Sequence, residues 1–294
     1  MYHFYAVILD ASFPHKSFKS DRFICQMKIA DPDSPINKEG VVEHCTLMMF
    51  AKRFEDLPII QRVGDIIRVH RAHVQTYKGV KQFTCNIFFN SSWALFSPMT
   101  GKDRMKKEDE QVKNAQPVNE AKAILVKGTT DPREFQPFAY LGKTFSFEVS
   151  EKKTINGFRE WIAKTFQKHP VLTERYICAL KDVPTVGAKK DNGKYYDFDL
   201  QVKVVQLFKL DDYSSELRVI DGSNEIWHCQ VLNMKYRFLR EGQYVRIRAA
   251  TLEHHQNSFD ARTFGLKNYS NILSLPVPSA LEASMIFDQE KVAT

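Results

Sequence analysis

The amino-acid sequence predicts a mainly β protein with two five-stranded Greek-key barrels, short helices and a polar linker. Three observations support this fold class. The chain has 294 residues, more than the roughly 100 to 150 of a common single domain. Short segments with alternating apolar and polar residues occur in both halves, and one segment of the first half resembles one of the second. We therefore expect a first barrel at residues 1–97, a linker at 98–150 and a second barrel at 151–294.

The first barrel is predicted from five candidate strands separated by Pro, Gly and Asp clusters. They are residues 2–12, 22–30, 45–50, 65–77 and 81–88. A short helical turn at residues 53–58 lies between the third and fourth strands, where a Greek-key barrel is often closed at one end. Five strands in so short a segment indicate a small closed barrel.

A polar segment precedes the second barrel. From Pro98 to about Asn119, Lys, Asp, Glu, Gln and Asn dominate, which is typical of a solvated linker. Residues 154–167 have apolar side chains at helical spacing and begin with Thr154 as a candidate N-cap, so we expect a helix that opens the second domain. Five further strands are predicted at residues 195–210, 216–221, 225–232, 243–253 and 262–266.

An internal repeat supports two copies of one fold. Residues 64–72, GDIIRVHRA, resemble residues 242–250, GQYVRIRAA, and the same spacing aligns SWAL at 92–95 with SNIL at 270–273. The alternative is that these are unrelated amphipathic strands that start at glycine. Two matches at one spacing favour the repeat. The OB fold is a five-stranded Greek-key barrel and fits the predicted strands.

Composition and charge narrow the function classes. Lys and Arg exceed Asp and Glu by 42 to 35, a net charge of +7 that favours a polyanionic partner, although many basic proteins bind none. The 22 Phe and 11 Tyr residues are more rings than two modest cores require, so we expect some on the surface. No apolar run approaches the roughly 18 residues of a membrane span and no signal peptide is evident, which predicts a soluble intracellular protein without a membrane partner.

The sequence carries no motif of an enzyme, a cofactor site or a metal site. Its five cysteines are scattered and never form a C-x-x-C pair, which argues against a disulfide framework and a zinc site. A nucleophile elbow, a P-loop, H-E-x-x-H and G-x-G-x-x-G are also absent. We therefore predict no cofactor, no metal and no catalytic residue.

Arg246 and Arg248 form a candidate phosphate-binding pair. On the strand that starts at residue 243 they share one face with Tyr244, because successive side chains of a strand point to opposite sides. A merely solvated basic face is the simplest interpretation. In an OB fold, however, this strand borders the groove that holds a nucleic-acid single strand, where arginines contact phosphates or stack on bases.

Asp197 and Asp199 are candidate guanine-binding residues. Strand alternation places them outward and side by side on the first strand of the second barrel. Carboxylates repel a phosphate backbone, but they accept hydrogen bonds from the N1–H and N2–H₂ groups of an unpaired guanine. Two alternatives stay open: the aspartates only increase solubility, or they form a two-metal nuclease site with Asp211 and Asp212.

Aromatic residues next to turns are candidate base-stacking residues. Tyr77, Phe88, Phe89, Tyr213 and Tyr269 lie at strand ends or beside turn residues, where rings are hard to bury. A ring that stacks on a base contributes roughly 1 to 3 kcal/mol and tolerates any base. These rings are therefore expected to supply affinity, while carboxylates and amides select the base.

Long motifs resemble a known family. Residues 51–60 (AKRFEDLPII), 64–72 and 91–97 (SSWALFS) resemble the N-terminal half of the ciliate telomere end-binding protein alpha subunit, which is related to the protection-of-telomeres proteins. The resemblance extends from about residue 3 to 275, is sparser in the second barrel, and is poor in the linker and at residues 168–194. It implies two OB folds that hold G-rich telomeric single-stranded DNA in one groove. Such a protein caps chromosome 3′ ends in the nucleus and limits the access of telomerase.

The resemblance also implies which residues contact the DNA. They are Phe13, His15, Lys16, Lys28, Tyr77, Gln82, Phe88 and Phe89 in the first barrel, and Asp197, Asp199, Tyr213, Arg246, Arg248, Asn268 and Tyr269 in the second. At His15 and Phe89 the family has other aromatic residues, and Asn268 replaces a histidine, which removes a ring.

The implied partners are G-rich single-stranded DNA and telomere-complex proteins or a second copy of the chain. The family's longer members carry a third, C-terminal OB fold that binds a beta subunit, and this sequence ends before it. Two other functions stay open. A general single-strand-binding protein of the replication type would share the fold and the rings without needing carboxylates in its groove. An OB scaffold that binds only proteins would bind no single strand at low salt.

Overall fold

Two β-barrels lie within the part of the chain that the computed structural model describes. These residues are 1–18, 20–38, 40–98, 135–141, 146–168, 177–188, 193–223, 225–252 and 262–276. The inward-facing side chains of each barrel form a separate hydrophobic core. Among the described residues, no helix is long and apolar enough to cross a membrane.

The strands of the first barrel close into a ring. They are β1 (Tyr2–Ala11), β2 (His15–Lys16), β3 (Phe23–Ala30), β4 (Cys45–Ala51), β5 (Ile66–Tyr77), β6 (Val80–Asn86), β7 (Ser92–Phe96) and β8 (Ala139–Tyr140), with 3-10 turns at Phe54–Asp56 and Ile87–Phe89. The sheet order is β1-β3-β4-β6-β5, and β5 pairs back to β1. The β4–β6 pair is parallel and the neighbouring pairs are antiparallel, as in a Greek-key OB barrel.

Helix α1 (Val149–Lys168) packs against the first barrel, whereas we expected it to open the second domain. The apolar face of α1 joins the core of the first barrel through Ile155, Phe158, Ile162 and Phe166. Glycine at position 64 makes room for this packing, because a Cβ there would lie 3.0 Å from the Phe166 ring. The sequence pattern identified the helix but could not indicate which of two barrels its apolar face covers.

Part of the predicted linker also belongs to the first barrel. β8 pairs with β7, Arg159 of α1 donates from Nε to the Ser97 carbonyl at 3.2 Å, and Arg68 of β5 pairs with Glu151 at 2.9 Å. Residues 99–134 lie outside the described part of the chain. The described residues at the C-terminal end of the predicted linker therefore extend the first barrel and do not separate the two barrels.

The second barrel repeats the strand order of the first. It consists of β9 (Phe198–Lys209), β10 (Ser214–Ile220), β11 (Ile226–Leu232), β12 (Tyr244–Thr251) and β13 (Gly265–Ser274), preceded by a 3-10 turn at Leu180–Asp182 and helix α2 (Val183–Val186). The sheet order is β11-β10-β9-β12-β13. Backbone hydrogen bonds from His228 to Arg262 and from Phe264 to His228 close the ring between β11 and β13. The last strand is longer than predicted and begins later.

The internal repeat in the sequence is confirmed by matching backbone geometry. Gly64 and Gly242 lie just before β5 and β12 and have φ angles of 94° and 78°, a conformation that favours glycine. At matching positions further along, Arg71 and Ala249 have φ angles of 58° and 55°, and the pairing register shifts there in both strands. Strands β5 and β12 therefore bend at the same point.

Strand β13 joins the two barrels. Val63 N donates to the Ser274 carbonyl at 2.9 Å, Ser274 N donates to the Gln61 carbonyl at 2.8 Å, and Phe13 N donates to the Tyr269 carbonyl at 3.2 Å. The buried side chain of Asn271 donates to the carbonyls of Ala11 and Ile60. We call this contact the barrel joint, and it holds the loop after β1 and the segment before β5 beside β13.

Candidate nucleic-acid interface

Lys28 and Gln82 lie in one cross-strand row on the outer face of the first barrel. Asp10 pairs with Lys28, Lys28 with Thr46, Thr46 with Gln82, and Gln82 with Gln75. Directly paired residues of neighbouring strands point to the same face. Strand register therefore brings a cation and a group of amides together on one side of the barrel.

Tyr77 extends this surface at the tip of the β5–β6 hairpin, two residues beyond Gln75. Its side chain is 55% exposed, and Lys78 Nζ lies 5.7 Å from the ring centroid. The neighbouring Gly79 has a φ angle of 81°, as the tight turn requires. The ring is thus presented to solvent on a short, well-defined hairpin.

Phe88 and Phe89 form an aromatic pair after β6. Their ring centroids are 4.6 Å apart, and Arg22, just before β3, places its guanidinium carbon 4.7 Å from the Phe88 centroid. Phe89 is largely exposed. The pair therefore offers an apolar ring and an adjacent cation to a ligand on the β3–β4–β6 side of the barrel.

Phe13 and His15 lie where the two barrels meet. The Phe13 ring packs against Phe54, and Lys235 of the second barrel places Nζ 3.9 Å from its centroid. The His15 ring lies 5.6 Å from that of Tyr269. Lys16 pairs with Asp21 at 2.7 Å on an exposed segment. Two of the residues predicted in this loop, Phe13 and His15, therefore contact the second barrel directly.

Asp197, Asp199 and Tyr269 come together on the second barrel. Asp197 accepts hydrogen bonds from Lys267 Nζ at 2.8 Å and from the Tyr269 hydroxyl at 2.7 Å. Asp199 accepts one from the Ala249 amide at 2.8 Å. Asn268, next to Tyr269 in the chain, is exposed. The two aspartates thus lie two residues apart at the start of β9. Asp197 already binds two donors, whereas the Asp199 side chain, predicted to face outward, is only 19% exposed.

The prediction that one face of β12 is solvated is wrong. Tyr244 is buried and Arg246 is 2% exposed, because the first barrel covers this side of the strand. Arg248 Nε donates to Asp10 Oδ2 at 2.9 Å, while Arg246 Nε lies 3.9 Å from Asp10 Oδ1 and Arg246 Nη2 lies 3.7 Å from Asp199 Oδ2. Alternation identifies the two faces of a strand but not whether a second domain covers one of them. The arginine pair belongs to the barrel joint.

Burial perturbs the charged groups around the joint. It raises the pKa of Asp199, and the Ala249 amide and the nearby arginines partly offset this increase. Burial lowers the pKa of Lys28 and brings the pKa of Lys235 down to about 8. It also raises the pKa of the Tyr269 hydroxyl, and the contact with Asp197 raises it further. Desolvated charges of both signs thus surround the joint, where electrostatic interactions are stronger than in water.

Tyr213 lies at the tip of the β9–β10 hairpin and is 74% exposed. Its carbonyl accepts the Asn233 amide at 2.7 Å, in the loop that also carries Lys235. Asp211 accepts the amides of Tyr213 and Ser214, so its carboxylate stabilises the turn. In the described part of the chain, no group of three or more His, Cys, Asp or Glu side chains is placed to hold a metal ion.

Several residues at this interface were not predicted from the sequence. Phe18 is 82% exposed and lies edge-on to Tyr269 at 6.5 Å. A large apolar residue in the polar loop between Lys16 and Asp21 is the signal that could have identified it. Asp10, Lys235 and Lys267 gave no comparable signal, because their role depends on contacts between distant segments.

Comparisons with known proteins agree with this architecture. Residues 1–172 match the family model described as telomeric single stranded DNA binding POT1/CDC13. Residues 186–286 match the model described as telomere end-binding protein alpha subunit OB2 domain. The two matches cover the first barrel with α1 and the strands of the second barrel, respectively, so both barrels are OB folds.

Curated relatives extend over nearly the whole chain. It is 37% identical over 283 residues to the telomere-binding protein subunit alpha of Stylonychia mytilus and 36% identical over 283 residues to that of Sterkiella nova, covering 95% of this chain and 51% of each relative. It is 32% identical over 184 residues to protection of telomeres protein 1 of Mus musculus, covering 62% of this chain and 21% of that protein. The chain thus spans about half the length of the ciliate relatives.

The resemblance noted in the sequence is confirmed by these matches. The two family models cover one barrel each, and the first extends over more than half of the chain. The chain belongs to the POT1/CDC13 family of telomeric single-stranded-DNA-binding proteins.

Proposed function

We propose that this chain binds the single-stranded, guanine-rich 3′ end of a chromosome and caps it without catalysis. One observation carries the proposal. Asp197 and Tyr269 of the second barrel lie beside His15 and Phe18 of the first, and Asp199 lies at the joint near Arg246. Carboxylate acceptors next to rings from both barrels suit an unpaired guanine and have no use in a groove that holds only phosphates.

The contacts of Asp197 support guanine as the selected base. Its two oxygens accept from the Lys267 ammonium and the Tyr269 hydroxyl. A guanine Watson–Crick edge presents two neighbouring donors, N1–H and N2–H₂, to a carboxylate in the same way. We propose that guanine replaces these internal donors, and that the released Tyr269 ring then stacks on a base.

Exposed rings would carry much of the affinity. Tyr77, Phe88 and Phe89 on the first barrel and Tyr213 on the second are placed outside the cores. Each stacked base is worth roughly 1 to 3 kcal/mol. The proposed DNA-contacting residues are Phe13, His15, Lys16, Lys28, Tyr77, Gln82, Phe88, Phe89, Asp197, Asp199, Tyr213, Asn268 and Tyr269.

We further propose that the chain consists of two units. The first contains the first barrel with β8 and α1, because these share one core. The second contains the strands β9–β13 with the turn and helix that precede them. Both would act on one strand of DNA, since the joint places their rings side by side.

Capping would take place at telomeres in the nucleus. A 3′ end held between two barrels is sterically protected from nucleases and from telomerase. Other proteins of the telomere complex, or a second copy of the chain, are the proposed protein partners. The names of the relatives, which describe telomere binding and no enzyme, support this proposal.

Fluorescence anisotropy with labelled oligonucleotides tests the proposed function. We expect the guanine-rich strand to bind more tightly than its C-rich complement, a pyrimidine-rich strand or the duplex. Equal binding of guanine-rich and pyrimidine-rich strands would indicate a general single-strand-binding protein. Absence of binding to any strand at low salt would indicate a scaffold for proteins, and cleavage products after incubation with Mg²⁺ would overturn the non-catalytic part.

A further inference from the structure

Asp10 is a buried carboxylate of the first barrel with partners on the second. It follows the register shift after Ile8 in β1 and is 2% exposed. Burial of a carboxylate is unfavourable unless cations or hydrogen-bond donors compensate for the lost water. Besides Lys28 on the neighbouring strand, the cations that face Asp10 are Arg246 and Arg248 of β12.

Arg246 lies between two carboxylates of different barrels. Its Nε is 3.9 Å from Asp10 Oδ1, and its Nη2 is 3.7 Å from Asp199 Oδ2. A charge-assisted hydrogen bond has a length of about 2.8 Å, so these two atom pairs are both beyond that distance. Arg248, by contrast, donates directly to Asp10 at 2.9 Å. Asp10 thus lies near two arginines of the second barrel, one of which also lies near Asp199.

We propose that Asp10 is a positioning residue for guanine selection: it holds Arg246 and Arg248 toward the first barrel and so leaves Asp199 open to a guanine donor. The inference rests on the proposed function, because it assumes that Asp199 binds the base. It gives the barrel joint a role beyond packing, since a residue of the first barrel then sets the selectivity of the second.

The charges around Asp10 and Asp199 explain how Asp10 would keep Asp199 open. Lys28, Arg246 and Arg248 carry three positive charges against the two negative charges of Asp10 and Asp199. Without the charge on Asp10, all three cations face Asp199. A movement of about 1 Å brings Arg246 Nη2 from 3.7 Å to hydrogen-bonding distance of Asp199 Oδ2. A guanine would then have to displace this internal bond.

Asp10→Asn in the full chain tests the inference, because it removes the charge while keeping the shape. The probe is a guanine-rich strand in which each guanine in turn is replaced by hypoxanthine, which lacks the N2 amino donor. We expect the wild-type protein to prefer guanine at one position or more. Asp10→Asn should reduce that preference about tenfold, the range of one charge-assisted hydrogen bond. In an Asp199→Asn background, Asp10→Asn should cause no further reduction.

Asn271→Ala is the matched control for a weakened joint. It removes two hydrogen bonds between the barrels and leaves the charges in place. We expect it to change stability or overall affinity without changing the preference for guanine over hypoxanthine. If Asp10→Asn behaves like Asn271→Ala, with uniform weakening of all strands, Asp10 is only structural and the proposal is overturned.

A measurement without DNA separates this inference from the proposed function. By nuclear magnetic resonance, the Arg248 Nε–H should exchange slowly with water in the wild-type protein and in Asn271→Ala, and rapidly in Asp10→Asn. Unchanged exchange in Asp10→Asn overturns the positioning role, whatever the DNA results. Absence of any guanine preference in the wild-type protein would overturn the proposed function instead, and the exchange rates would still decide whether Asp10 positions the arginines.

Discussion

Replacement of Tyr213 by alanine should weaken DNA binding without destabilising the protein. The ring is 74% exposed, and the local hydrogen bonds of the turn use the backbone of Tyr213, which the substitution keeps. Loss of one stacked base corresponds to roughly 1 to 3 kcal/mol, or about a 5-fold to 150-fold increase in Kd. Anisotropy titrations measure the Kd, and thermal unfolding by circular dichroism should give an unchanged Tm.

Two variants of the same hairpin make this prediction specific. Tyr213→Phe keeps the ring and should bind nearly as well as the wild-type protein. Leu210→Ala removes an exposed apolar side chain without a ring and should have little effect on the Kd. The stacking argument is refuted if Tyr213→Ala binds like the wild-type protein, or if Leu210→Ala loses as much affinity as Tyr213→Ala.

Three further predictions concern selectivity, salt and pH. The double variant Asp197→Ala and Asp199→Ala should have a smaller preference for guanine over other bases in competition titrations, and unchanged selectivity would contradict the role of the aspartates. Log Kd should rise linearly with log salt concentration, with a slope of about 0.7 for each phosphate contact, and a slope near zero would exclude the electrostatic contribution. Burial lowers the pKa of Lys235 to about 8 from 10.5, so between these values the unfolded chain binds more protons than the folded one. This group's contribution to the free energy of unfolding therefore increases as pH rises through that range. DNA affinity should decrease from pH 7 to pH 9, because Lys235 loses its positive charge beside the proposed DNA-contacting residue Phe13, and the decrease should be smaller in Lys235→Met.

Strand positions were largely predictable because period-two alternation reports burial directly. Phe198, Leu200, Val202 and Val204 lie in the core at alternate positions of β9, as the sequence indicated, although Gln201 between them is also buried. The internal repeat was predictable for the same reason, since a glycine and the following strand recur in both barrels. Strand β7 was missed as a strand because its apolar residues run without alternation, being covered on both sides.

The joint could not be predicted, because it depends on contacts between segments far apart in the sequence. Arg246 and Arg248 have the pattern of a solvated face, and only the approach of β1 shows why they are buried. The apolar face of α1 was evident, but its partner was not. Conversely, the proximity of Asp197 to Asp199 was predictable from the sequence, since the two residues are two positions apart at the start of β9.

Hydrogen bonding between β13 and the segment before β5 has a practical consequence for dissecting the molecule. If the chain were cut into halves, each half would expose groups that are now covered: Asp10 and Ala11 on one side, Tyr244 and Asn271 on the other. An isolated barrel would therefore be prone to aggregation and would carry a charge pattern foreign to the intact protein. Binding free energies measured on such fragments would not add up to that of the whole, because the surface where rings of both barrels meet exists only when both barrels are present.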